Sequence, residues 1–117
     1  MNQVHHTIDY IEINVSDMAS SRAFYARAFG WGFNDYGPTY SGIRGAGDSE
    51  VGGLNGTGTP GPGGPLVLLF SDDLDATVEA VEAAGGTITT PPHAFPGGRR
   101  FEFSDPSGNV LGVWAAS

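Results

Sequence analysis

The sequence predicts an α+β fold of two paired βαβββ modules, and three observations carry that prediction. A strand, helix, three-strand pattern occurs twice, with Asp17 carried onto Asp73 and Gly30 onto Gly86. A Gly/Pro-rich run divides the 117 residues nearly in half, and the strand candidates are short and rich in alternation. A lone βαβββ unit cannot bury both faces of its sheet, so the two copies should pair. The length suits one domain over 1–117, with modules at about 6–56 and 66–117 and a linker at about 57–65.

Ile8 to Val15 reads as a β-branched strand, and Ser16-Asp17 caps a helix from about Met18 to Phe29 that Gly30 ends. Met18, Ser21, Tyr25, Ala28 and Phe29 form its inner stripe, with Phe24 on the flank and Arg22 and Arg27 outside. Strands follow at Gly32 to Asp35, Tyr40 to Arg44 and Glu50 to Leu54. The second copy gives a strand at Leu66 to Phe70, Asp72-Asp73 as cap, and a helix from about Leu74 to Ala84 stopped by Gly85-Gly86. Leu74, Thr77, Val81 and Ala84 face inward there, and Asp75, Glu79 and Glu82 face water. Its strands are Thr87 to Thr90, Arg99 to Ser104 and Val110 to Ala115, with a loop from Gly85 to Gly98 overlapping the first.

Composition excludes several classes of function. Thirteen acidic residues against five arginines give a net charge of −8, which repels phosphate backbones and anionic membranes, so neither nucleic acid nor membrane is an expected partner. The absence of cysteine removes disulfides, thiol nucleophiles and Cys-based zinc sites. No apolar run approaches the ~20 residues that span a bilayer, and the start of the chain lacks the pattern of a signal peptide, so a cytoplasmic location is the expectation. The glycine-rich run Gly56 to Pro65 lacks the Lys-Ser/Thr ending of a phosphate loop.

Ile11-Glu12-Ile13-Asn14-Val15-Ser16-Asp17, with Phe24-Tyr25 and Phe29-Gly30-Trp31, resembles the opening of the glyoxalase, bleomycin-resistance and extradiol-dioxygenase superfamily. Phe103-Ser104-Asp105-Pro106-Ser107-Gly108-Asn109 resembles its last hairpin, and with Asp72-Asp73-Leu74-Asp75-Ala76 and Gly85-Gly86 the likeness covers nearly the whole chain. The resemblance implies the vicinal oxygen chelate fold, in which the modules form a cupped mixed sheet. It also implies a homodimer with two cup-shaped sites built partly from both chains. The positions where metal-binding relatives usually carry ligands are Tyr10, Leu66 and Gly112 here, with Glu50 and Asn55 the only remotely suitable side chains near the fourth. Leu and Gly offer no donor, so neither metal nor other cofactor is expected.

The last hairpin also fixes facing. A type I turn at Asp105-Pro106-Ser107-Gly108, with Gly108 left-handed, pairs Asp105 with Asn109. Phe103 then opposes Leu111 and Phe101 opposes Val113 under the helices, whereas Arg100 opposes Trp114 and Glu102 opposes Gly112 on the cup side. The same alternation puts Ile11, Ile13 and Val15 under the helices and Tyr10, Glu12 and Asn14 in the cup.

Tyr10, Glu12, Asn14, Tyr40, Arg100, Glu102 and Trp114 are therefore the candidate ligand-binding residues. Trp31, Phe33, Tyr36 and Phe95 lie on nearby strands or loops, with Trp31 the most structural of them. Planar rings stack on flat ligands, and a few converging polar groups orient them. Glu12 and Glu102 are catalytic candidates because paired carboxylates can share a proton and serve as acid and base; the competing reading pairs one of them with Arg100. Adjacent strand residues point to opposite faces, so His5 and His6 cannot both enter one site, and His93 reads as an exposed loop residue or a lid. No spacing suggests a Ser-His-Asp triad. The leading functional expectation is metal-free binding and sequestration of a small aromatic molecule such as an antibiotic. The alternative is a lyase or isomerase of the same superfamily.

Overall fold

The computed structural model describes residues 3–117. Strand β1 (Ile11–Asn14) leads into helix α1 (Met18–Phe29), then β2 (Gly32–Asp35), β3 (Tyr40–Arg44) and β4 (Glu50–Asn55). The second copy is β5 (Leu68–Phe70), α2 (Leu74–Ala83), β6 (Thr87–Phe95), β7 (Gly98–Ser104) and β8 (Val110–Ala115). The caps form as the sequence indicates: Asp17 accepts from the Ser20 amide and Asp73 from the Ala76 amide, while Gly30 takes φ 72° at the end of α1.

Each copy makes a four-stranded mixed sheet, ordered β1-β4-β3-β2 and β5-β8-β7-β6, in which the first strand pairs parallel with the last. The strands are thus divided between two sheets of equal topology. The edges β1 and β5 border a shared apolar groove lined by Ile11, Ile13, Val67 and Leu69.

One core serves both modules. Ile13, Val15, Ile43 and Leu54 of the first sheet and Phe101, Phe103, Leu111 and Val113 of the second join Phe24, Tyr25, Leu74 and Val81 of the helices in a single buried cluster. The register Phe103↔Leu111, Phe101↔Val113 and Arg100↔Trp114 is the one the turn predicts, and Gly108 has φ 86°. Burial of each large apolar side chain stabilises by about 1.5–3 kcal/mol. Phe24 is fully buried, not flanking, and its ring packs against Phe103 across the modules.

Asp105 ties the modules at this hairpin. Its carboxylate accepts from the Tyr25 hydroxyl (2.8 Å), the Ser107 and Asn109 amides (2.9 Å each) and the Asn109 side chain (3.1 Å). Asn109 in turn donates to the Asn14 carbonyl and accepts from the Gly61 amide. Burial and the Asp105 charge push the Tyr25 hydroxyl far above the ordinary tyrosine range.

Several boundaries differ from expectation. β1 begins at Ile11 and β5 at Leu68; Ile11 is 39 % exposed at the seam, not under the helices. His5 and His6 lie in a turn with their rings stacked, off any strand. β6 runs through Pro91 and Pro92 to Phe95, so His93 is on a strand opposite Arg100, not in a lid. Proline is tolerated there because β6 is an edge strand and its register shifts twice around the prolines.

Candidate functional site

The residues that alternate away from the core form two open faces of different chemistry. On the first sheet, Glu12, Gly53, Gly42 and Asn34 stand in one row across β1, β4, β3 and β2. The two glycines leave a trough: a Cβ on Gly53 would collide with the Tyr40 hydroxyl, and one on Gly42 with the Glu50 carboxylate. Into it converge three tyrosines, two glutamates and two asparagines. Tyr10 donates to Glu50 Oε2 at 2.8 Å, while Tyr36 and Asn34 donate to Glu50 Oε1 at 2.7 and 3.0 Å. Tyr40 donates to Glu12 Oε2 at 3.0 Å, Asn55 donates to Glu12 Oε1 at 3.2 Å, and the Tyr10 and Tyr40 hydroxyls lie 2.9 Å apart.

Hydrogen bonds from Asn34, Tyr36 and Tyr10 hold the Glu50 carboxyl below its usual range. The tyrosines shift the other way. Loss of solvent, followed by the bonds to Tyr40 and Glu50, raises Tyr10 well beyond the ordinary range. Tyr40 is raised mainly by loss of solvent, and Tyr36 mainly by its bond to Glu50.

On the second sheet the corresponding face is apolar. Leu68 pairs with Gly112, and a Cβ on Gly112 would run into the Leu68 side chain. Phe70 and Phe95 meet Trp114 edge-on, with ring centroids 5.1 and 6.3 Å apart. Leu66, Leu68 and Phe70 are 38 %, 41 % and 58 % exposed, a large apolar surface for one side of a small sheet. Its polar group is the half-buried pair Arg100–Glu102 at 3.4 Å, with the Arg100 guanidinium 6.0 Å from the Phe95 ring centroid.

The candidate residues therefore fall into two groups. Tyr10, Glu12 and Tyr40 share the lattice of the first face, and Arg100, Glu102 and Trp114 stand together on the second. Asn14 donates to the Thr59 carbonyl at 3.3 Å beneath the linker, beside a groove of about 530 Å³ that also touches Glu12 and Asn109. Glu12 and Glu102 lie on different sheets with no hydrogen bond between them, and Glu102 is engaged by Arg100. Trp31 stacks on Tyr25 at 4.5 Å, a packing role.

Sequence reasoning did not count Glu50, Asn34 or Tyr36 among the ligand-binding candidates: Tyr36 stood only as a nearby aromatic and Glu50 only as a weak candidate for the fourth ligand position. Simple alternation from Leu54 and Gly52 would aim Glu50 at the core, but the β3–β4 register shifts after Ile43, pairing Arg44 with Glu50 and turning that side chain outward. The glycines Gly42 and Gly53 at adjacent cross-strand positions were the available signal.

The relatives' metal positions do not fit a metal ion here. Leu66 has no donor, Gly112 has no side chain and its space is filled by Leu68, and the Tyr10 hydroxyl is engaged by Tyr40 and Glu50. Among the described residues no three of the His, Cys, Asp and Glu side chains converge as a metal site would require.

Paired βαβββ modules, a parallel first–last strand pair in each and two open faces define a vicinal oxygen chelate architecture. The chain belongs to the Glyoxalase/Bleomycin resistance protein/Dioxygenase superfamily, whose family model matches residues 7–113. A glyoxalase-related enzyme from Fulvimarina pelagi superposes with a TM-score of 0.79 at 22 % identity, covering 94 % of this chain and 88 % of that one. TnmS3, an antibiotic binding protein from Streptomyces sp. CB03234, gives 0.72 at 24 % identity over 99 % and 100 %. The anthracycline biosynthesis protein DauV of Streptomyces sp. (strain C5) is 30 % identical over 92 % of this chain and 40 % of its own length. The chain spans less than half the length of the curated relatives it matches.

Proposed function

We propose that the protein binds and sequesters a flat aromatic small molecule that carries hydroxyl or carbonyl groups on one edge, and releases it chemically unchanged. The observation that carries this reading is the division of labour between the open faces. Phe70, Phe95 and Trp114 offer ring edges and faces for stacking, and the Tyr10–Tyr36–Tyr40 lattice offers paired donors and acceptors. One structural neighbour is an antibiotic binding protein and one curated relative an anthracycline biosynthesis protein, which makes antibiotics the first ligands to test. Metal is unnecessary for such binding, and one equivalent of EDTA-removable metal per chain, by elemental analysis, would overturn the metal-free reading.

A homodimer accompanies this proposal. The apolar surface of Leu66, Leu68 and Phe70 is the motive for it, since a twofold partner would remove that surface from water. Sedimentation at micromolar concentration should give twice the 12.1 kDa chain mass.

The second reading, a lyase or isomerase, draws on the Glu12–Tyr40–Tyr10–Glu50 lattice as acid–base machinery. Incubating candidate ligands with substoichiometric protein and weighing the products by mass spectrometry separates the two. Sequestration returns every ligand at its original mass. Conversion of many equivalents, lost in Glu12→Gln with binding retained, would establish the enzyme.

A further inference from the structure

One row of register partners crosses the second sheet from edge to edge: Phe70 on β5, Trp114 on β8, Arg100 on β7 and His93 on β6. Directly opposed residues share a face, and neighbouring strands stand about 4.8 Å apart, so the row is a strip roughly 14 Å long. Two aromatic rings occupy one end, and a guanidinium and an imidazole occupy the other. His93 Nδ1 lies 3.1 Å from the Pro91 carbonyl, to which it donates. In a chain of net charge −8 this row carries no carboxylate. The one acidic group beside it is Glu102, two residues along β7 from Arg100, while Arg99 turns to the opposite face and pairs with Asp75 of α2.

Arg100 is poorly served within the chain. A guanidinium carries five N–H donors. Among the described residues its one side-chain hydrogen bond is to Glu102 Oε2, long at 3.4 Å, and its Nε is buried with no partner. The Phe95 ring lies 6.0 Å from the guanidinium and meets Trp114 edge-on, so aromatic surface surrounds the charge. The side chain is half-buried and keeps part of its surface open. A cation partly withdrawn from water attracts an oxyanion more strongly than an exposed one, and a planar carboxylate matches the fork of N–H groups that Glu102 leaves free.

We infer that the second face selects an aromatic acid, with the ring laid over Trp114 and Phe70 and the carboxylate received by Arg100. This rests on the binding of a flat aromatic molecule proposed above and adds the charged group that the molecule carries. One strand spacing separates Trp114 from Arg100, comparable to the reach from the middle of a fused ring pair to a carboxylate attached to it. Glu102 then competes with the ligand for the same guanidinium, which makes it a gate on affinity and not a contact of the ligand.

Calorimetric titration with 2-naphthoate and with its uncharged counterpart 2-naphthamide, at neutral pH, isolates the charge because the two share a shape. The acid should bind about tenfold more tightly than the amide. Arg100→Gln should erase that preference by weakening the acid while leaving the amide within about twofold. Glu102→Gln removes the competing carboxylate and should tighten the acid by roughly threefold. A merely structural ion pair would instead weaken the acid when broken from either side. Equal affinity for acid and amide in the unsubstituted protein, or weaker acid binding in both variants, would overturn the inference. Hydroxylated anthraquinones that still bound would then leave the broader reading standing, whereas no binding of any flat probe would remove both. Sedimentation of Arg100→Gln completes the test: loss of a dimer with the preference for acid unchanged would assign Arg100 to a carboxylate of a second copy and overturn the inference as well.

Discussion

Ahead of and along β1, the side chains that alternate away from the core are Tyr10, Glu12 and Asn14; at the matching places ahead of and along β5 they are Leu66, Leu68 and Phe70. The pairing partners repeat as well, Gly53 beside Glu12 and Gly112 beside Leu68, yet a tyrosine hydroxyl fills the first glycine's space and a leucine side chain the second's. On the opposite side the two modules agree, because Ile13, Leu54, Val113 and Phe101 must all enter one core. The shared core thus constrains one face of each sheet, while the other is free to diverge in chemistry without disturbing the fold.

The largest effect should come from cutting what the modules share. Asp105→Ala leaves the buried Tyr25 hydroxyl and the Asn109 backbone amide without their acceptor and should destabilise by about 3–5 kcal/mol in urea unfolding. A cost under about 1 kcal/mol would show that the Asp105 hydrogen bonds add little to what packing and the Asn109–Asn14 contact supply.

Substitutions on the open faces should act on binding far more than on folding. Trp114→Ala should weaken ligand binding by about 1–3 kcal/mol with little change in unfolding midpoint, measured by calorimetry and urea titration together. Gly53→Ala should displace the Tyr40 hydroxyl from the lattice and cost about 0.5–1.5 kcal/mol of binding. Gly112→Ala, whose nearest neighbours are the end of the Leu68 side chain and the Phe101 carbonyl at 3.3 Å, should cost less. If the two glycine substitutions proved equal, the faces would not differ in the way described.

The smallest effect concerns alkaline pH. Tyr10, Tyr25, Tyr36 and Tyr40 are all raised in the folded chain, so above pH about 10 the unfolded chain loses protons that the folded one keeps. Their contribution is complete below that pH and declines above it. Ultraviolet titration should show little tyrosinate at about pH 10.5 until the protein unfolds, and a free-tyrosine curve in the folded state would contradict this. At the acid end the depressed Glu50 works in the opposite sense, adding stability above its unfolded value of about 4.3 that is lost as pH falls.

The order of elements, both helix caps and the last hairpin's register were legible because they rest on local rules: a capping Asp, a left-handed Gly and strict alternation. Alternation also assigned Glu12, Arg100, Glu102 and Trp114 to one cup, whereas Glu12 lies on the first sheet and the other three on the second. The facing of Glu50 and the length of β6 were not legible, because register shifts reverse or interrupt the period there and no single residue announces them. The partners of Glu12 were illegible for a different reason: which polar groups meet across strands depends on register in three dimensions, not on spacing along one strand.

The most direct test of the two-faced site is a calorimetric titration with a hydroxylated anthraquinone, a flat aromatic probe with polar groups on its edge, followed by mass analysis of the released compound. Saturable binding near one molecule per chain is expected, with quenching of Trp114 fluorescence and recovery of the probe at its original mass. The same ring system without hydroxyls should bind more weakly. No saturable binding, equal affinity with and without the hydroxyls, or recovery of a chemically altered product over many turnovers would contradict it.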